Sequence, residues 1–237
     1  MKIKLVIFDM DGLMFDTGRL SYKAYVEAAK KYNFTISPNV YYLLTGRRDK
    51  EIRDIMYLLY GSECNVQEWR DYINVARNSI LKKEQRVYKK KGLLEILEFL
   101  KKNDFIIAVA SSNSMKKIRY YFQIENMPNF FDYIVSGENV VNGKPDPEIF
   151  MKACYMANIS PNESLVLEDS FAGVKAAING NFNVFNIPDN INDLPSVFGE
   201  YNLKIDPLSL VENIPNSVLK FDDLIEVMRY IQEKCFI

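Results

Sequence analysis

Ile3 to Phe8 is a short apolar run without alternation, the pattern of a parallel strand buried on both faces. Similar runs recur at Phe105–Ala110, Tyr133–Val135, Ser164–Leu167 and Asn183–Ile187. Helical periodicity separates the later ones. Leu93, Leu97 and Leu100 share one face, as do Ile118 and Phe122, and Ile149, Ala153 and Met156 form another such set. Asp146-Pro147-Glu148 reads as an N-cap, a first-turn proline and an acidic first turn. This alternation predicts an α/β fold, a doubly wound Rossmann-like parallel sheet.

Residues 17 to about 88 break the rhythm. Ala24, Ala28 and Tyr32 lie at helical spacing, then Ile52, Ile55, Met56 and Leu59, then Trp69, Ile73 and Ala76. Three amphipathic segments in succession predict a small α-helical cap domain inserted after the first strand. The expected division is therefore a core of residues 1–16 and 89–237 and a cap of residues 17–88. Hinges are expected near Asp16–Gly18 and Val87–Gly92. Beyond residue 190 come turn residues, a predicted strand at Leu203–Ile205 and a last helix around Asp223–Glu233.

Bulk properties narrow the chemistry. Thirty basic and thirty-one acidic residues leave a net charge of -1, which gives no electrostatic reason to expect nucleic acid or an anionic membrane as partner. The apolar start is too short for a signal segment, and nothing later reaches membrane-spanning length. Cys64, Cys154 and Cys235 are odd in number and widely spaced, as expected of reduced thiols in a cytoplasmic protein. The chain has no histidine. That excludes Ser-His-Asp and Cys-His catalysis and histidine-ligated zinc, leaving carboxylates, lysine, hydroxyls or an oxygen-bound metal.

Asp9-Met10-Asp11-Gly12-Leu13-Met14-Phe15-Asp16 follows the first strand directly. Ligands in open α/β sheets bind at the carboxyl ends of strands. Two carboxylates two residues apart can share one pocket in different functions, one attacking phosphorus and the other moving a proton. A solvated acidic turn is the plain alternative. Three more strand ends carry polar clusters: Ser111-Ser112-Asn113, Gly143-Lys144-Pro145-Asp146-Pro147 before a helix, and Glu168-Asp169-Ser170. Singly, each reads as a cap or as surface charge.

Together and in this order, the four clusters resemble the haloacid dehalogenase superfamily over residues 1–16 and 89–190. The resemblance implies that Asp9 becomes an aspartyl-phosphate and that Asp11 serves as acid and then base. It implies phosphate binding by Ser111, Ser112 and Lys144, and magnesium held by Asp9, Asp11 through its carbonyl, Glu168 and Asp169. Dehalogenases of the superfamily need neither the second aspartate nor a metal, so hydrolysis of a small-molecule phosphate ester is the implied activity. A β-phosphoglucomutase-type phosphotransfer and a silent binding module are the alternatives. The mutases carry a cap histidine where this chain has Ser21, which favours hydrolysis. Gly46, Arg47, Arg48 and Arg77 are the cap candidates for holding a sugar or polyol phosphate, with solvated surface as the competing reading.

Overall fold

The computed structural model describes residues 3–47, 49–210 and 213–234, so Arg48 and Cys235 lie outside the described residues. Strand β1, Leu5–Phe8, is followed by helices α1 (Thr17–Tyr32), α2 (Pro38–Leu44), α3 (Asp49–Tyr60) and α4 (Val66–Glu84). Next come α5 (Leu93–Lys102), β2 (Ile106–Ser111), α6 (Met115–Ile124) and β3 (Tyr133–Ser136). Then follow α7 (Glu148–Ala157), β4 (Ser164–Glu168), α8 (Phe171–Asn179) and β5 (Asn183–Asn186). The short β6 (Leu219–Lys220) and α9 (Leu224–Lys234) complete the described chain.

Every strand pairing is parallel, in the order β3-β2-β1-β4-β5-β6. All four residues of β1 and all five of β4 are buried, which explains the apolar runs Leu5–Phe8 and Leu165–Leu167. Phe8 pairs with Val109 on one side and Leu167 on the other. That register brings Asp9, the end of β2 and Glu168 to one edge of the sheet, where strand order reverses about β1. Helix α5 buries Leu93, Ile96, Leu97 and Leu100, a stripe at i, i+3, i+4 and i+7. Helices α7 and α8 share a second apolar layer through Phe150, Ala153, Val174 and Ala177.

The chain divides into two compact units. One comprises Met1–Asp16, Val87–Asp189 and Ile214–Ile237; the other comprises Thr17–Arg86 and Asn190–Asn213. Within the second, α1 packs on α4 over a core in which Phe34 stacks on Trp69 with centroids 4.4 Å apart. Tyr25 and Tyr60 meet the same indole edge-on.

Several expectations need correction. The expected division places residues 190–213 in the α/β unit, whereas they belong with the helices. Ile191 is 0 % exposed in the helical core, and Ile36 and Phe34 form β-bridges with Val197 and Tyr201. The Tyr22 hydroxyl donates to Pro195 O at 2.9 Å, and the Arg19 guanidinium grips both Asp193 oxygens at 2.8 and 2.6 Å. The expected strand at Leu203–Ile205 is irregular chain, and its apolar side chains pack on that same core. The α/β unit resumes at Val87 rather than residue 89, because Val87 is buried and its N–H donates to Glu125 Oε1 at 2.8 Å. Helix α7 begins at Glu148 with Pro147 as the flanking residue, yet Asp146 Oδ1 still caps it by accepting from Glu148 N at 2.9 Å. Helix α2 and strand β6 went unpredicted.

Candidate active site

The turn after β1 buries its apolar side chains and leaves Asp9 and Asp11 to meet the residues at the neighbouring strand ends. Met10, Leu13, Met14 and Phe15 are buried, and Met10 O accepts from both Met14 N and Phe15 N at 3.0 and 3.1 Å. Gly12 sits at φ +81°, and a Cβ there would lie 2.1 Å from Asp169 Oδ2. Glycine is required on both counts: left-handed backbone and close approach of a carboxylate. Asp9 N donates to Leu167 O at 3.0 Å, tying the turn to β4. Asp11, one step outward, accepts from Asn113 Nδ2.

Asn113 organises the end of β2. Its amide nitrogen also donates to Ser111 Oγ at 2.9 Å, while Lys117 Nζ donates to its Oδ1 at 2.7 Å. The lysine fixes which way the amide points, so the NH2 group faces Asp11 and Ser111. Ser111 is buried; Ser112 is exposed, its carbonyl packed beside Gly137.

Lys144 is the centre of charge. Buried, it donates to both Asp9 Oδ1 and Glu168 Oε1. The other Glu168 oxygen accepts from Ser170 N at 2.9 Å and Ser170 Oγ at 3.0 Å. Burial works against the Lys144 ammonium, but Asp9 and Glu168 outweigh it and raise its pKa. Burial pushes Asp9 up to about 7 against the pull of Lys144, with the charges of Glu168 and Asp11 adding to the rise. Asp169 is raised well above the carboxylate range, by burial first and then by Glu168, Asp9 and Asp189.

These shifts have one electrostatic meaning. The strand ends gather more negative charge than Lys144 cancels. Among the described residues, Asp9, Glu168 and Asp169 can each offer an oxygen within 4.8 Å of the others. An all-oxygen donor set short of positive charge fits a hard divalent cation.

The structure thus brings together Asp9, Asp11, Ser111, Lys144, Glu168 and Asp169. Gly46, Arg47 and Arg77 belong to the helical unit, where both arginines have local partners: Arg47 Nε donates to Leu43 O at 2.8 Å, and Arg77 Nη2 to Asn74 Oδ1 at 3.2 Å. Sequence reasoning gave no part to Asn113, Ser170 or Asn186. The first two stand inside the strand-end clusters Ser111-Ser112-Asn113 and Glu168-Asp169-Ser170 and are legible there. Asn186, whose amide donates to Glu168 O at 3.2 Å and Asp169 O at 3.3 Å, had no such signal.

The family model of the haloacid dehalogenase-like hydrolases matches residues 6–187, and the chain belongs to that family. It is 28% identical over 192 residues to a phosphorylated carbohydrates phosphatase of Thermotoga maritima, covering 81% of this chain and 88% of that protein. It is 27% identical over 187 residues to β-phosphoglucomutase of Bacillus subtilis, covering 73% and 78%. Its fold matches the crystal structure of a β-phosphoglucomutase from Clostridium difficile with a TM-score of 0.70 at 22% identity, over 98% and 97% of the two chains. Among the described residues no helix is long and apolar enough to cross a membrane.

Proposed function

We propose that this chain is a magnesium-dependent phosphatase that hydrolyses a small phosphorylated sugar or polyol through a phosphorylated Asp9. The observation that carries this reading is the Lys144 ammonium seated between Asp9 and Glu168 beside a third acid, Asp169. The 28% identical phosphatase of phosphorylated carbohydrates supports the substrate class.

A phosphate monoester dianion is repelled by a carboxylate, so positive charge must meet it first. Asp9 and Asp169 would hold magnesium, with the Asp11 carbonyl as a further donor. Glu168, which could add an oxygen to that set, also holds Lys144 through Oε1. When bound, the ion supplies Lewis-acid neutralisation of phosphoryl charge. Lys144 and the Ser111 hydroxyl hold the equatorial phosphoryl oxygens, with Ser112 contributing through its backbone. An Asp9 oxygen forms a bond to phosphorus as the ester P–O bond breaks, and Asp11 gives its proton to the departing alkoxide. Asp11, now a carboxylate, takes a proton from water; the water oxygen bonds to phosphorus, and Asp9 leaves as carboxylate with inorganic phosphate. Asn113 orients Asp11 for both transfers. Gly46, Arg47 and Arg77 are the proposed contacts to the rest of the substrate.

Asp9→Asn tests the reading. With magnesium present, phosphate release from a panel of sugar phosphates should fall at least about a thousandfold while the fold persists. Undiminished release would remove Asp9 from the mechanism. A phosphoglucomutase-type transfer is the second reading, favoured by the 27% identical mutase. Given β-glucose 1-phosphate, a mutase would form the 6-phosphate with little free phosphate; hydrolysis gives the reverse.

A further inference from the structure

A second ion pair stands against the same turn and has no part in the chemistry above. Asp189, the last residue of the α/β unit before the chain joins the helical one, is 8 % exposed. Its Oδ1 accepts from Lys90 Nζ at 2.6 Å, across 99 residues of sequence. The Cβ of Asp189 lies 3.2 Å from the point where a side chain at Gly12 would begin, and Asp169 Oδ2 lies 2.1 Å from that point. Asp189 and Asp169 therefore both pack directly against Gly12. Lys90 is anchored independently, its N–H donating to Met14 O at 2.9 Å. Two residues earlier, Tyr88 O accepts from Asp16 N at 2.8 Å. Lys90 is thus fixed to the Asp9–Asp16 turn and holds Asp189 beside it. The Asp189 side chain is 7% exposed and that of Lys90 24%, so solvent screens their charges from Asp169 only in part.

We propose that Lys90 and Asp189 are a positioning pair that sets how tightly Asp169 holds a divalent cation. The carboxylate strengthens the hold and the ammonium moderates it. The inference rests on the metal reading above. Its signature is a split in sign. Removing the carboxylate leaves a lone ammonium beside the acids and repels the ion; removing the ammonium leaves a further negative charge and attracts it. A pair that only stabilised the fold would weaken binding whichever partner was lost.

The test is a magnesium titration of the intact protein at pH 8 by calorimetry, alongside thermal midpoints without metal. Asp189→Asn should weaken the apparent Kd about fivefold and Lys90→Met should tighten it about fivefold. Lys90→Arg, which keeps the charge, should stay within about twofold of wild type. Shifts of the same sign, or both within about twofold, overturn the proposal. Should Asp189→Asn not fold, Lys90→Met against Lys90→Arg still decides, because only the loss of charge is expected to tighten binding. Asp169→Asn separates the two levels of the argument. Saturable binding that this variant abolishes, with no split between the pair variants, sinks the pair alone. No saturable binding in wild type sinks both.

Discussion

The surroundings of Asp169 in the folded chain disfavour its ionised form. Its pKa is raised, so the folded chain binds that proton more tightly than the unfolded chain does. The resulting stability is fully present below the ordinary carboxylate value, about 4, and is lost as pH rises through the raised one. Asp9, pushed up to about 7, acts in the same direction. We therefore expect the thermal midpoint of the metal-free protein to fall between pH 5 and pH 8, and to fall less in Asp169→Asn. At pH 8 without metal the variant should be the more stable protein, and magnesium should raise only the wild type. Parallel pH profiles would refute this account. At this scale the sequence was informative wherever the members of a cluster are neighbours along the chain. Asp9, Asp11, Lys144, Glu168 and Asp169 stand in compact motifs at strand ends. The Lys90–Asp189 pair was invisible, because only the folded sheet brings those positions together.

Among the elements, α8 shows packing overriding propensity. Gly173 is buried in its first turn, where alanine would be worth about 1 kcal/mol more as a helix former. Yet a Cβ at Gly173 would lie 1.7 Å from Glu168 Oε1, the oxygen that receives Lys144. Gly173→Ala should therefore push the Glu168 carboxylate aside, unseat Lys144 and lower kcat by at least about tenfold, with a reduced thermal midpoint. A more stable and fully active variant would show that Glu168 can move at no cost. The central strands were legible because burial on both faces leaves a continuous apolar run. Strand β6 was not, being two exposed residues at the sheet edge. Helix α2 spans seven residues, too few to establish a period, although Ser37-Pro38 is a start signal that could have been read. Leu203 and Ile205 are apolar for a reason the pattern could not reveal: they pack on a core formed by distant helices.

For the molecule as a whole, the chain passes between its two units four times: after Asp16, after Arg86, after Asp189 and after Asn213. Among the described residues, Cys64 and Cys154 are buried free thiols. Replacing Thr17–Arg86 with a short linker should yield an aggregating protein, because Ile191 and its neighbours would lose the core that covers them. Removing Asn190–Asn213 as well should restore solubility, as read by size-exclusion chromatography. Equal behaviour of the two deletions would mean that the shorter segment folds without the helices. Recombination therefore faces an unusual constraint here. A chimera that borrows another enzyme's helical insert as one cassette keeps an orphaned flap that evolved against a different surface. Transplanting the helical unit requires four seams and two pieces of chain, moved together.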